Sequence, residues 1–420
     1  MCSSDLANGL PDKDSLIEVY SKVSALTKTK KALAVYTPTY GGVAEAIMKM
    51  CFGNGIGFMY ANGISLEDIF GYSYGSFIVE LADGATIDGA INLGSTVARK
   101  EIIFGDEAVS LDAIYKDYEG VLESVYPTNA DEAEGEIPAF SYDGEKAAPA
   151  IIKCAKPKVL IPVFPGTNCE YDSAKAFERA GAETEIFVIN NLSAAKVSES
   201  VDSFVEKIKE SQIIFVPGGF SGGDEPDGSG KFITAFFRNG AIKNEVNNLL
   251  KNRDGLMCGI CNGFQALIKL GLVPYGEIID TDENCPTLTY NSIGRHQSRI
   301  VRTRIASNNS PWLSQVKVGD IYSVPVSHGE GRFLASNELI LKLAANGQIA
   351  TQYVDLDGKP TSNILYNPNN SCYAVEGITS PDGRVFGKMG HTERYSNGLY
   401  SNVEGNYDMK IFESAVKYFK

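Results

Sequence analysis

"GLMCGICNGFQALIKLG", residues 255–271, decides how the rest of the chain is read. A continuous apolar run leads into small residues and then into apolar positions at helical spacing, so a buried strand turns directly into a helix. Cys261 sits between Gly259 and Gly263 at that turn. In an open α/β sheet, ligands and chemistry collect at the carboxyl ends of strands. A tight strand-to-helix turn needs small residues on both sides, and the residue between them projects outward. The helix amino terminus then faces the sulfur and favours a thiolate, and the Asn262 amide is placed to donate to an oxyanion. Taken alone, G-x-C-x-G also fits a buried cysteine at a strand end. With Cys258 it reads as "CGIC", which leaves a redox pair open. A zinc site needs a second ligand pair at comparable spacing, and Cys169, Cys285 and Cys372 are isolated in the sequence, so no metal is expected.

Upstream of this turn, strand and helix alternate. "KVLIPVF" (158–164) reads as a strand buried on both faces. "DSAKAFERAG" (172–181) reads as a helix with Asp172 as N-cap and Gly181 as C-cap. A strand over 183–189, a helix over 197–210, a strand over 212–219 and two helical stretches over 231–252 follow. Downstream, from about Asn284, the pattern changes to shorter strands and turns, and "DMKIFESAVKYF" (408–419) closes the chain as a helix. This half is expected to be an open, mostly parallel α/β sheet. The first half reads differently. It has helices over 14–32 and 110–127, short strands at 32–37, 75–82 and 90–98, and "YGGVAEAIMKMCFGNGIGFMYA" between them. It is expected to be a smaller α+β domain. The acidic, weakly periodic stretch between the halves reads as a linker. The expected division is 1–140, a linker over 141–157, and 158–420.

The chain has 420 residues, enough for two or three domains with full cores. Its formal net charge of −14 argues against general nucleic-acid or anionic-membrane binding. No apolar run is long enough to span a bilayer. Scattered cysteines and a start without the pattern of a signal peptide point to a reducing cytoplasm. The opening "MCSSDL" resembles a translated sequencing-adapter string, so the natural chain is expected to extend further upstream.

A cysteine nucleophile needs a base, and the base needs an orienting group. The chain has three histidines. His296 is flanked by arginines, which disfavour its protonation. His391 and Glu393 are two residues apart, so in an extended segment both leave the same face. His328 and Glu330 share that spacing, and spacing alone does not choose between the pairs. The glycine-rich "VPGGFSGGDEPDGSG" (216–230) follows another buried strand and suits a second oxyanion donor. It lacks the G-x-x-x-x-G-K-[ST] pattern of a phosphate loop.

With these pieces in order, residues 158–420 resemble the class I (triad) glutamine amidotransferases. "GICNGFQAL" resembles their nucleophile motif and "GHTER" their late His-x-Glu. Six ordered motifs, "FPGTNCEYD", "VPGGFSGGD", "CNGFQAL", "NSIGRHQSR", "SHGEGRF" and "MGHTERYSNG", are similar to the glutaminase domain of phosphoribosylformylglycinamidine synthase. The first block resembles the last synthase-type domain of the single-chain form of that enzyme, with Tyr40 standing where that family often has an acidic residue before Gly41-Gly42. The resemblance implies Cys261 as nucleophile, His391 as base and acid, and Glu393 as orienter. It implies Gly219, Phe220 and Asn262 as the oxyanion region, and Gln265 and Asn291 as substrate contacts. His328 is implied to be structural or near the site. Glutamine is the implied substrate, with no cofactor for the glutaminase domain. ATP, magnesium and the missing upstream synthase domains are implied for the complete enzyme, which makes formylglycinamidine ribonucleotide in purine synthesis. Two rivals remain at this point: a cysteine amidase or peptidase on the same fold, and a non-catalytic glutaminase-like regulatory subunit.

Overall fold

The structure, a computed structural model, describes residues 12–131, 135–142, 144, 148–220 and 230–420. The adapter-like start, most of the glycine-rich loop after Phe220 and part of the expected linker lie outside the described residues. The chain divides into two compact units, Met1–Thr128 and Asn129–Lys420.

The first unit is α+β. Its helix Lys13–Lys28 starts where Asp12 accepts the Ser15 N–H. A four-stranded sheet runs in the order Gly94–Val97, Gly57–Tyr60, Glu101–Phe104, Glu107–Ser110, and Ala32–Tyr36 pairs with Ile78–Leu81 separately. The helix Gly42–Phe52 buries Val43, Ala46 and Ile47 into this unit's core. The helix expected over 110–127 is shorter, Leu111–Gly120, and Leu111 is its one buried residue. Val121, Leu122, Val125 and Tyr126 are exposed, so no packed face carries the helix past Gly120.

The second unit is built on a nine-stranded sheet. Its order is Ile321–His328, Gln297–Ile305, Ile349–Val354, Val375–Thr379, Val385–Lys388, Leu256–Ile260, Ile213–Val216, Lys158–Val163, Glu183–Val188. The last five are mutually parallel. The first four, from the region read as short strands and turns, extend the sheet antiparallel. Ile213–Val216 and Leu256–Ile260 are buried at every position, which is why they are apolar without alternation. Helices cover the sheet. Phe177 of the helix Glu170–Ala180 meets Phe412 of the last helix edge-on at 4.9 Å and Phe215 of the sheet at 5.2 Å.

Gly181 ends that helix in a left-handed conformation, φ 93°, as its C-cap reading requires. The start differs from expectation: Cys169, not Asp172, is the N-cap residue, and Asp172 lies in the first turn, where its charge suits the helix dipole. The stretch before Lys158 lies along the larger unit. The Phe140 N–H donates to Gln352, the Tyr142 N–H to the Ala306 carbonyl and the Cys154 N–H to the Phe419 carbonyl. No helix among the described residues is long and apolar enough to cross a membrane.

Candidate active site

Three adjacent strands end at one place. Leu256–Ile260 delivers Cys261. Its neighbour Ile213–Val216 runs into Pro217-Gly218-Gly219, and its other neighbour, Val385–Lys388, runs into Met389-Gly390-His391. The register pairs Gly259 with Val216 and Ile260 with Lys388, so the three loops leave the sheet level with each other.

Cys261 has φ 52° and ψ −108°, a strained backbone for a residue with a side chain. Such strain costs about 1–3 kcal/mol and persists only where the surroundings impose it. Here the Cys261 N–H donates to the Lys388 carbonyl at 2.9 Å, and its carbonyl accepts the Gln265 N–H at 3.0 Å. The flanking glycines are required by contact. A Cβ on Gly263 would lie 2.0 Å from the Val216 carbonyl oxygen, and one on Gly259 would lie 2.6 Å from the Gly263 carbonyl carbon. Cys258 is fully buried in the strand, and burial pushes its thiol well above the usual range. It lies inside the strand, whereas Cys261 sits on the turn that follows, and both are free thiols.

His391 is 1% exposed and Glu393 2%. The His391 Nδ1 and the Glu393 Oε1 are 2.5 Å apart, while Nε2 has no hydrogen-bond partner. Burial alone would lower the imidazole's pKa. The carboxylate of Glu393 and the sulfur of Cys261 outweigh it, and the pKa is raised well above the ordinary value. Burial likewise pushes the Glu393 carboxyl up, and the His391 imidazole brings it below its usual range. The other pair is arranged differently. His328 is buried, neither ring nitrogen is hydrogen-bonded, and burial, with His391 and His296 adding, pushes its pKa down to about 3. His328 therefore stays neutral and lacks a carboxylate to orient it. His296 is exposed and its Nε2 lies 3.0 Å from the Ser327 hydroxyl.

The loop after Ile213–Val216 lies against these groups. A Cβ on Gly218 would sit 2.6 Å from the His391 Cε1 and 3.4 Å from the Cys261 Cβ. Gly219 has φ 144°, and its Cβ would strike the Gly166 carbonyl at 2.5 Å. The Phe220 N–H donates to the Gly166 carbonyl at 2.8 Å, so this amide closes the loop and is not free for an oxyanion. Gln265 and Asn291 both hold the bend after Ser327, whose carbonyl is 3.9 Å from the Cys261 sulfur. Gln265 donates to the Glu330 carbonyl at 2.5 Å and Asn291 to the His328 carbonyl at 2.8 Å. The Asn291 side-chain oxygen is buried with no partner.

Cys169, isolated in the sequence, is not isolated in space. Its sulfur lies 3.8 Å from the His391 Nδ1 and accepts from the Arg394 guanidinium at 3.0 Å. The ligand atoms of Cys169, His391 and Glu393 fall within 4.8 Å of one another, a spacing open to a metal ion. Their hydrogen bonds to each other and to Arg394 already use that arrangement. The one advance sign of Cys169 was its place in the motif "FPGTNCEYD".

A thiol on a strained elbow, facing an imidazole held by a buried carboxylate, is the arrangement that thiol-dependent amide hydrolysis requires. Residues 156–419 match the family described as CobB/CobQ-like glutamine amidotransferase domain. The phosphoribosylformylglycinamidine synthase subunit PurQ of Methanococcus maripaludis is 37% identical over 287 residues, 63% of this chain and 97% of that protein. The subunit PurQ of Dehalococcoides mccartyi is 38% identical over 275 residues, 63% of this chain and 98% of that protein. A solved structure of PurLQS from Thermotoga maritima is 25% identical, with a TM-score of 0.45, and covers 63% of this chain and 100% of that chain. The chain belongs to the CobB/CobQ-like glutamine amidotransferase family, in the group of the phosphoribosylformylglycinamidine synthase glutaminase subunit.

Proposed function

We propose that this chain is the glutamine-hydrolysing part of phosphoribosylformylglycinamidine synthase, and that Cys261, His391 and Glu393 carry the hydrolysis. The observation that supports this most is the 2.5 Å bond between His391 and Glu393 beside the Cys261 elbow. His391 takes the thiol proton through Nε2, and the sulfur attacks the side-chain amide carbon of glutamine. The oxyanion is received by the amides of Asn262 and Gly219, with Phe220 holding the loop. His391 returns the proton to the departing nitrogen, ammonia leaves, and a thioester remains on Cys261. A water then gives a proton to His391 and attacks the thioester, releasing glutamate and the free cysteine. The Asn291 side-chain oxygen and Gln265 line the substrate side.

The ammonia is used by the synthase part, where ATP-activated formylglycinamide ribonucleotide becomes formylglycinamidine ribonucleotide. The first unit, up to Thr128, is the end of that part, the stretch from there to residue 157 is the link and 158–420 is the glutaminase, working in the cytoplasm with upstream synthase domains as partners. The Gly41-Gly42 loop does not fit a magnesium nucleotide. Tyr40 is 79% exposed in the place of the acid, and the Glu45 carboxylate is taken up by Thr39, Gly41 and Lys49. The test is to incubate the chain with glutamine and with a peptide panel, measuring ammonia and newly freed α-amines. Ammonia from glutamine alone is expected. Turnover of peptides alone, with ammonia or an amine released, would point to an amidase or peptidase, and turnover of neither to a regulatory subunit.

A further inference from the structure

Directly behind the histidine loop lies an ion pair with no exposure at either end, Lys388 with Glu376 at 3.2 Å. An ammonium has three protons to place. Those of Lys388 meet Glu376, the Gly390 carbonyl at 2.8 Å and the Thr392 hydroxyl at 3.0 Å. The Glu376 carboxylate also accepts the Gly390 N–H at 2.7 Å and the Thr351 hydroxyl at 2.5 Å. Both sides of His391 are therefore gripped by the same pair. The Lys388 backbone carbonyl accepts the Cys261 N–H, so one residue touches both the segment that carries the base and the elbow that carries the nucleophile. The surroundings leave room for it: a Cβ on Gly377 would lie 2.7 Å from the Thr351 hydroxyl and 3.0 Å from the Lys388 Cβ.

Burying two charges is costly, and apolar replacements of such pairs are often neutral or stabilising, so stability alone does not account for this one. Its position does. We propose that Lys388 and Glu376 are positioning residues for the hydrolysis: they lock Gly390–Thr392 so that His391 Nε2 meets Cys261. The inference rests on the glutaminase reading above.

The test compares the full chain with Lys388→Met/Glu376→Gln, a neutral pair of similar volume in which the residue 376 side chain still accepts the Gly390 N–H. A glutamine-like chloroketone counts competent sites in each sample. The expected result is a melting midpoint within a few degrees of the parent, KM within about twofold, and kcat per labelled site down by about tenfold or more. Should that variant not fold, Thr392→Val removes one of the three ammonium partners at nearly constant volume and is expected to lower kcat severalfold at unchanged KM. Unchanged kcat per labelled site, with or without a fall in melting midpoint, overturns the inference while leaving the glutaminase reading intact. A parent chain that releases no ammonia from glutamine overturns the glutaminase reading itself.

Discussion

Replacing Gly218 by alanine inserts one methyl group into the centre of the site. The new Cβ would lie 2.6 Å from the His391 Cε1, 3.3 Å from the Cys169 sulfur and 3.4 Å from the Cys261 Cβ. Carbon atoms rest at about 3.5–4.0 Å, so the imidazole must retreat by roughly 1 Å. It cannot do so without lengthening its 2.5 Å bond to Glu393 or turning Nε2 away from Cys261. Gly218 is not among the glycines with positive φ, so its backbone accepts alanine and the fold is expected to survive. A displacement of that size costs on the order of 100-fold in rate. That corresponds to about 2.7 kcal/mol of transition-state stabilisation. The assay is steady-state ammonia release from glutamine, normalised to sites titrated with a chloroketone, beside a melting curve. A folded Gly218→Ala chain with kcat within twofold of the parent would show that the position of the His391 ring against Gly218 does not limit the rate. Gly263→Ala is the contrasting case. Its Cβ would meet the Val216 carbonyl at 2.0 Å, so the loss is expected in folded protein instead.

His391→Ala is expected to lower kcat by about 10³-fold or more, Glu393→Ala by less, and His328→Ala to act mainly on stability or KM; equal kcat losses at His328 and His391 would contradict the site. Because His328 is held neutral with its pKa near 3 while an unfolded histidine titrates near 6.5, the unfolded chain takes up a proton the folded chain refuses. Stability due to this group is therefore full above about pH 6.5 and falls towards pH 3, by up to about 1.4 kcal/mol per pH unit. Between pH 7 and 4 the urea midpoint of the parent should fall more steeply than that of His328→Gln, and parallel curves would show that His328 is not buried neutral. Supplied with ATP, magnesium, formylglycinamide ribonucleotide and free ammonia, the chain is expected to make no formylglycinamidine ribonucleotide; ATP-dependent product would show a working synthase site in the first block.

Three strands of the parallel half, Lys158–Val163, Ile213–Val216 and Leu256–Ile260, were legible because burial on both faces makes them continuous apolar runs; Val385–Lys388, which joins them, lay in the stretch read only as short strands and turns. The antiparallel half was not, because strands such as Gln297–Ile305 alternate and carry arginines, so they resemble turns and surface segments. The elbow was legible through its glycines, whose need is local. The choice between His391 and His328 was not, since identical His-x-Glu spacing hides the fact that one imidazole meets its carboxylate and the other meets none. Cys169 left only its place in a motif, and Lys388 and Glu376 left no sign. Cys169 meets His391, and Glu376 meets Lys388, only once the chain is folded, and a buried lysine and glutamate on strands leave no periodic signature. The helix ending at Gly120 shows the converse error: an amphipathic pattern exists there without a surface to bury it.

Cys261 alone is expected to become acylated. Acid-quenching the chain during glutamine turnover and locating the glutamyl thioester by peptide mass spectrometry reads this out. The adduct is expected on the peptide containing Cys261, to be lost with ammonia release in Cys261→Ser and to persist in Cys258→Ser. An adduct on Cys258 or Cys169, or sustained glutamine hydrolysis by Cys261→Ser, would contradict this expectation.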